Sequence, residues 1–242
     1  MTNLSIITAT FNAGNYLPGL VDSLKSQTDQ NFEWVVVDGG STDETLEILK
    51  GASACLKNVV IDSRQDFGIY DALNRGIKAS KGSYYLVAGA DDAFYPDAVL
   101  KYKAAINNSG ADFVTALVSS NGKVHGPRRF MAPWLFGPFA YISSHAIGLA
   151  TKRSLHEVFG LYSNQYPIGA DQLFILNAIK SGATHSSHNF VAGRFDMESG
   201  TSGNNVLCSL LDGYRVKINL GYSKTVQTFL LLLRLARHWK RL

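Results

Sequence analysis

The chain has 242 residues, of which 46% are hydrophobic and only 17% charged. That composition supports one substantial buried core and excludes a disordered or fibrous chain. The net charge of +4 is mild, and the basic residues form no stripe outside the C-terminus, so no nucleic-acid partner is expected.

The first half alternates strand-like and helix-like segments. Leu4 to Thr10 is a short run rich in β-branched residues, followed by the turn-forming Asn12-Ala13-Gly14-Asn15. Leu17, Leu20, Val21 and Leu24 then recur at helical spacing. Phe32 to Val37 reads as a second buried strand that ends at Asp38, with Gly39-Gly40 as its turn. Ser41 and Glu44 form a capping-box pattern ahead of a helix carrying Leu46, Ile48 and Leu49. A third strand is expected near Val59 to Asp62. Ile69, Leu73 and Ile77 mark a helix that stops by Gly82, and a fourth strand from Ser83 to Ala88 ends in Gly89-Ala90-Asp91-Asp92. Pro96 opens another helix, and Asp112 to Val118 reads as a fifth strand. From about Gly122 to Ser144 the pattern weakens into a long loop or platform. Asp171 to Ile179 is a helix, and Gly193 to Asn205 an irregular Gly- and Ser-rich segment.

This alternation predicts an α/β fold with a mainly parallel central sheet flanked by helices, whose ligands bind beyond the carboxyl ends of the strands. Asp38, Asp66 and the Asp91-Asp92 pair would converge on one rim. Adjacent carboxylates at a strand end suit a divalent ion, because Mg²⁺ or Mn²⁺ prefers hard oxygen ligands and coordinates phosphate oxygens. The same pair before a helix also serves as a turn or capping device. Asp38 has two readings as well. It is either part of the turn chemistry of Asp-Gly-Gly-Ser or a buried acceptor for the edge of a nucleotide base.

Four stretches occur in order: Thr8-Ala9-Thr10-Phe11-Asn12, Val35 to Asp43 around Asp38-Gly39-Gly40-Ser41, Asp66-Phe67-Gly68-Ile69-Tyr70-Asp71-Ala72-Leu73-Asn74-Arg75-Gly76, and Gly82-Ser83-Tyr84-Tyr85-Leu86 leading to Asp91-Asp92. Together they resemble the family 2 glycosyltransferases with the GT-A fold, over roughly the first 100 residues. The resemblance implies that Thr8, Thr10 and Asn12 line a nucleotide pocket and that Asp38 contacts the base. It places Asp66 and Gly68 near ribose and diphosphate, with Asn74 and Gly76 shaping that wall. Asp91 and Asp92 fall on the family's metal motif, which implies Mn²⁺ or Mg²⁺ as cofactor and a nucleotide-diphospho-sugar, UDP- or GDP-linked, as donor. Many members carry a further acidic or Asn residue just before this pair. Gly89-Ala90 stands there in this chain, which implies a weaker or more water-rich coordination.

Ser143-Ser144-His145, Phe159-Gly160-Leu161-Tyr162, Ile168-Gly169-Ala170-Asp171 and Met197 to Asn205 extend the likeness to a bacterial subgroup that assembles exopolysaccharides such as colanic acid. There Asp171 falls where the general base is expected, deprotonating the acceptor hydroxyl in a single inverting displacement. Alternatively it caps the helix that follows. His145 is read as a metal or phosphate ligand, or as a structural histidine. Arg194 and the segment from Gly200 to Asn205 are placed over the donor. Arg128 and Arg129 are solvated or touch an anionic acceptor, and Trp134 is the one aromatic residue considered as a sugar platform.

The organisation expected is a GT-A domain over 1–223, with a nucleotide-binding half at 1–118 and an acceptor-binding half at 119–223, followed by a basic amphipathic helix at 224–242. In that tail Phe229 to Leu233 and Leu235 form an apolar block beside Arg234, Arg237, His238, Lys240 and Arg241. It either packs on the core with its basic end favoured by the helix dipole, or lies on anionic lipid with Trp239 at the interface. Cys55 and Cys208 lie far apart with no ligand spacing, as suits a reducing compartment. There is no signal-peptide layout and no apolar run of about 18 residues. A cytoplasmic enzyme, peripheral on the inner face of the cell membrane, is therefore expected. Its acceptor would be a saccharide, free or polyprenyl-diphosphate-linked, in exopolysaccharide, capsule or lipopolysaccharide assembly. The rival enzyme is a nucleotidyltransferase, against which stands the lack of a Gly-rich basic phosphate loop. The rival from another class is an inactive nucleotide- or glycan-binding module, against which stand Asp38, Asp91, Asp92 and Asp171 together.

Overall fold

The apolar N-terminal run becomes β1 (Leu4–Thr10), and the next becomes β2 (Glu33–Asp38), whose Trp34, Val35, Val36 and Val37 are all fully buried. A strand covered on both faces needs such an unbroken apolar run, because side chains on alternate sides both leave water. Trp34 and Val36 enter the layer beneath α1 (Leu17–Lys25) and α2 (Thr45–Ser53), while Val35 and Val37 enter the opposite layer beneath α3 (Ile69–Ala79). The computed structural model describes residues 4–128, 131–196 and 205–241.

The remaining elements in chain order are β3 (Val59–Ser63), β4 (Tyr84–Val87), β5 (Ala93–Phe94), α4 (Ala98–Ser109), β6 (Phe113–Ser120), β7 (Lys123–His125), α5 (Pro133–Phe136), β8 (Leu149–Lys152), α6 (Leu155–Phe159), α7 (Ala170–Lys180), β9 (His185–Arg194), α8 (Val206–Asn219) and α9 (Lys224–His238). One mixed sheet runs in the order β3-β2-β1-β4-β8-β6-β9-β5, with β7 paired to β6. The neighbours β3, β2, β1 and β4 are parallel, and so are β6 and β9, whereas β8 runs antiparallel to both β4 and β6. The mainly parallel α/β sheet expected from the sequence is present. The stretches 1–118 and 119–223 share it, since β8 and β9 flank β6 on either side.

Several local expectations need correction. Ser41 caps nothing: α2 starts at Thr45 with Glu44 at its cap and no side-chain cap bond, and the Ser41 hydroxyl is taken by Asp38. Asp43 does the local work instead, accepting from the Thr45 N–H and hydroxyl. On α3 the inward face is Tyr70, Leu73 and Ile77, while Ile69 is 40% exposed. The weak-pattern region holds β7, α5 and a 3₁₀ turn at Gly137–Ala140. Gly193 and Arg194 close β9 rather than open an irregular segment, and 197–204 lie outside the described residues. The polar sequence of β9, HSSHNFVAGR, gives little strand signal because its order comes from pairing with β6 rather than from propensity.

α3 presses closely on the sheet at Gly76, where an added Cβ would lie 2.4 Å from Ile7 Cγ2 and 3.3 Å from Val37 Cγ2. Gly76→Ala is expected to cost about 1–3 kcal/mol by overpacking. Gly51→Ala, in open space on α2, should gain about 0.5–1 kcal/mol. Urea unfolding of both variants checks the contrast, and equal effects would contradict it.

Candidate active site at the carboxyl rim of the sheet

Because β1 to β4 run parallel, their carboxyl ends share one edge. There Asp38 closes β2 with no exposed surface. A carboxylate out of water must be surrounded by donors. Oδ1 accepts from the hydroxyls of Thr10 (3.2 Å) and Ser41 (2.5 Å), and Oδ2 from the N–H groups of Gly40 and Ser41 (both 3.0 Å) and the Ser63 hydroxyl (2.8 Å). Burial alone would raise its pKa, but these bonds outweigh it and hold the carboxyl below the ordinary value. Five internal donors fill the roughly four lone-pair positions of a carboxylate. Asp38 therefore ties the ends of β1, β2 and β3 together, and the direct contact with a base edge expected from the sequence is not what this geometry offers.

Thr8 is also corrected. It is fully buried and its hydroxyl accepts from the Trp34 indole N–H at 3.0 Å, so it faces the core rather than a pocket. Thr10 reaches the rim only as a donor to Asp38. Asn12 is exposed and left-handed (φ 49°), and it clamps the facing loop through its N–H to Ser41 Oγ (2.8 Å) and its Oδ1 from the Thr42 N–H (2.9 Å). Gly39 leaves room for Asp66, whose Oδ2 would lie 2.7 Å from a Cβ there, with the Phe11 ring at 3.4 Å. Phe11 is 66% exposed. Asp66 Oδ1 accepts from the Gly68 N–H at 2.9 Å, and Gly68 (φ 111°) turns the chain into α3. An open wall of Phe11, Asp66 and Gly68 thus stands above the buried Asp38.

Past β4 the chain folds back at Gly89, where any side chain would strike Asp91 Oδ1 at 2.7 Å. Asp92 is 1% exposed, and its Oδ2 accepts from the Gly89 N–H at 2.7 Å. Its Oδ1 is buried with no hydrogen-bond partner and faces His145 Nδ1 at 3.8 Å, beyond bonding distance. Burial raises the Asp92 carboxyl well above its ordinary value, against the Gly89 N–H and with the Asp91 charge. Burial lowers the His145 imidazole to about 4, so it is neutral near pH 7, and its ring stacks on Phe195 at 4.1 Å. Alongside opens a cleft of about 490 Å³ lined by Asp91, Tyr95, Asn121, Arg194, Asp196 and Ser120, whose buried Oγ has no partner. Among the described residues no three His, Cys, Asp or Glu side chains gather as a ready-made metal cage.

Asp171 sits in the first turn of α7, partly buried, with Oδ1 accepting from the Tyr70 hydroxyl (2.7 Å) and the Gln172 N–H (2.8 Å). Burial raises its pKa, and those two bonds oppose the rise. Asn74 does not face the rim. Its amide makes a reciprocal pair with the Tyr162 backbone (2.8 and 2.9 Å), pinning the segment before α7. That segment is held further by Asp212, whose Oδ2 accepts from the Ile168 and Gly169 N–H groups. Behind it runs a directed chain. His156 Nδ1–H donates to the Gly160 carbonyl, which leaves Nε2 to accept from Tyr85, and Tyr85 accepts from Tyr162. Arg128 lies over the Phe136 ring, Trp134 is 43% exposed beneath α9, and Arg129 lies outside the described residues.

Residues 5–154 match the family model of glycosyl transferase family 2. The chain belongs to that family. A PGL/p-HBAD biosynthesis glycosyltransferase from Mycobacterium bovis is 44% identical over 102 residues, 42% of this chain and 40% of that relative. An uncharacterized glycosyltransferase from Haemophilus influenzae is 31% identical over 117 residues, 48% of this chain and 36% of that one. The matches thus span well under half of these curated relatives. S. aureus TarS 1–349 in complex with UDP superposes with a TM-score of 0.70 at 19% identity, covering 98% of this chain and 72% of that one. Mannosyltransferase PcManGT from Pyrobaculum calidifontis, in complex with GDP-Man and Mn²⁺, gives 0.67 at 16%, covering 99% and 75%. The GT-A architecture of this family 2 chain is shared with both.

Sequence reading missed Tyr70, Phe195 and Asp212. Tyr70 was available as the inward aromatic of α3, but the Ile69–Leu73–Ile77 spacing drew the face one residue away. Asp38→Asn replaces one acceptor oxygen with a donor amide among five donors. It should destabilise this family 2 domain by about 2–4 kcal/mol. The wild-type contribution is full above the unfolded Asp value near pH ~3.9 and is lost as pH falls through the depressed folded value. Urea unfolding at pH 7 and pH 3 checks both statements, and an unchanged midpoint at pH 7 would refute the hub role.

Proposed function

We propose that the chain is a metal-assisted inverting glycosyltransferase. It would transfer a sugar from a UDP- or GDP-linked donor to a saccharide or lipid-linked saccharide acceptor in cell-surface polysaccharide assembly of the exopolysaccharide kind. The observation that carries the reading is the buried, unpartnered Asp92 Oδ1 facing a neutral His145 beside Asp91. Hard carboxylate oxygen and neutral imidazole fit Mn²⁺ or Mg²⁺, and two or three protein ligands leave positions for diphosphate oxygens. Asp92 and His145 would hold the ion with Asp91 next to them. There the ion supplies charge compensation for the leaving diphosphate. The complexes of PcManGT with GDP-Man and Mn²⁺ and of TarS with UDP-GlcNAc support a donor of this class.

In this reading Phe11, Asp66 and Gly68 form the nucleotide wall, while Asp38 holds the strand ends that carry it. Asp171 accepts the proton of the acceptor hydroxyl. The oxygen bonds to the anomeric carbon as the bond to the diphosphate breaks, and the diphosphate leaves with the electron pair. A carboxyl raised by burial is a stronger base than an exposed one. Release of UDP or GDP from a donor panel with Mn²⁺ or Mg²⁺ and simple saccharides tests the reading. Asp171→Asn should lower turnover at least about 100-fold while still binding nucleotide, and EDTA or Asp92→Ala should abolish it. No donor bound or turned over, or both variants matching wild type, would sink it.

The tail supports attachment to an anionic lipid surface. After Asp212 the chain has seven Lys and Arg residues and no Asp or Glu. α9 packs on α8, and Gln227 and Arg234 bond the Trp134 and Leu135 carbonyls. Its other face leaves Phe229, Leu232 and Leu233 between 51% and 62% exposed, with Trp239 at 69%. One face docks, as one reading of the sequence had it, and the opposite face is free for lipid. No helix among the described residues is long and apolar enough to cross a membrane. Flotation with anionic vesicles should therefore fall at least about tenfold in Phe229→Asp/Leu233→Asp and in high salt, with the fold intact. Equal binding to zwitterionic vesicles, or no loss in the variant, would refute it.

A further inference from the structure

The Tyr70 hydroxyl carries one proton and lies within reach of two acceptors, Asp171 Oδ1 at 2.7 Å and the Ile168 carbonyl at 2.8 Å. Tyr70 is 8% exposed, so water does not make up for an acceptor left unserved. We infer that Tyr70 is the positioning residue for Asp171: its hydroxyl donates to the carboxylate while Asp171 is charged and swings to the Ile168 carbonyl when Asp171 holds a proton. This rests on Asp171 as the base of the proposed transfer.

The charged carboxylate outcompetes the carbonyl, since a charge-assisted hydrogen bond is about twice as strong as a neutral one. Once Asp171 is protonated that preference is gone, and the hydroxyl rotates about its C–O bond with no movement of the ring. The ring itself is fixed at 5.4 Å from that of Tyr162. Both protonation states of the base are thereby served by one rotor, and no bond other than the O–H···O hydrogen bond is remade. Tyr70 is also the second residue of α3, just past the Asp66–Gly68 wall, so one helix start carries both the nucleotide wall and the partner of the base.

The titratable groups around Asp171 are few. Tyr70 comes from α3, Tyr85 from β4 and Tyr162 from the segment before α7, and all three hydroxyls stay protonated because burial raises them. His156 on α6 lies behind Tyr85, and burial lowers it. α8 presents the Asp212–Arg215 pair, and the 3₁₀ turn Gly137–Ala140 packed on α7 carries no titratable side chain. Tyr70 is the side chain that donates a hydrogen bond to the Asp171 carboxylate.

The test is a ¹³C NMR titration of the Asp171 carboxyl in aspartate-labelled protein, assigned by its loss in Asp171→Asn. Tyr70→Phe keeps the ring and should move the midpoint upward, and a fluorinated tyrosine at position 70, a stronger donor, should move it down. Tyr162→Phe removes a neighbouring hydroxyl that bonds Tyr85 and should leave the midpoint in place. In the nucleotide-diphosphate release assay, Tyr70→Phe should lose about tenfold below the acid limb and recover toward wild type above it. An unmoved midpoint in Tyr70→Phe, or an equal movement in Tyr162→Phe, overturns the inference. A moved midpoint with full activity in Asp171→Asn would instead leave the Tyr70 coupling standing and remove the base role.

Discussion

A carboxylate withdrawn from water dictates what surrounds it, and Asp38 does so at the rim of this sheet. From the end of β2 it draws its five donors from the ends of β1 and β3 and from the turn that leaves β2. Each of those segments is thereby fixed in height relative to the others. Without this knot the loops after three parallel strands would end as separate flexible tips. With it, the Asn12 clamp, the gap at Gly39 and the Asp66 wall acquire one geometry. The residue that organises this part of the rim spends its acceptor positions on donors from within the protein.

The Asp92 side of the rim follows a different logic, in which polar groups are left incomplete rather than saturated. Asp92 has one oxygen satisfied by Gly89 and the other bare, and Ser120 lines the adjoining cleft with a buried hydroxyl without a partner. Unmet polar groups are costly inside a protein. Two of them lie beside one polar cleft, and under the proposed function a metal ion and diphosphate would complete Asp92 there. Asp38 is thus filled by internal donors and Asp92 is not, although both carboxylates are buried at the same rim.

Much of this was legible in the sequence because the first half obeys simple periodicities. The apolar runs at Leu4 and Phe32 and the 3.6-residue spacing of Leu17, Leu20 and Leu24 all mark buried elements. Strand ends in a parallel sheet place Asp38, Asp66 and Asp91-Asp92 on one edge by topology alone. What failed was orientation. Nothing in the sequence says that Thr8 turns toward Trp34, that Ser41 serves Asp38 instead of α2, or that Asn74 bonds a backbone 88 residues away. The Thr8 and Asn74 choices depend on partners 26 and 88 residues away, and the Ser41 choice on how Asp38 is buried at the rim. The same holds for β8 and β9, short or polar strands that exist because β6 offers them an edge.

The buried chain through Tyr162, Tyr85 and His156 has a consequence for dynamics. It starts at residue 162 and ends at the carbonyl of residue 160, so the donors run in a near-closed circuit with Tyr85 of β4 threaded through it as a pin. Every hydroxyl and ring nitrogen in the circuit has its direction set by the next. Removing one member disorients the others, so opening becomes a concerted event rather than a local fraying. Amide exchange between residues 156 and 162 should accordingly follow a single cooperative rate, slower than that of the exposed turns on either side. The stretch of chain that leads into α7 would then be among the last to loosen when the protein unfolds.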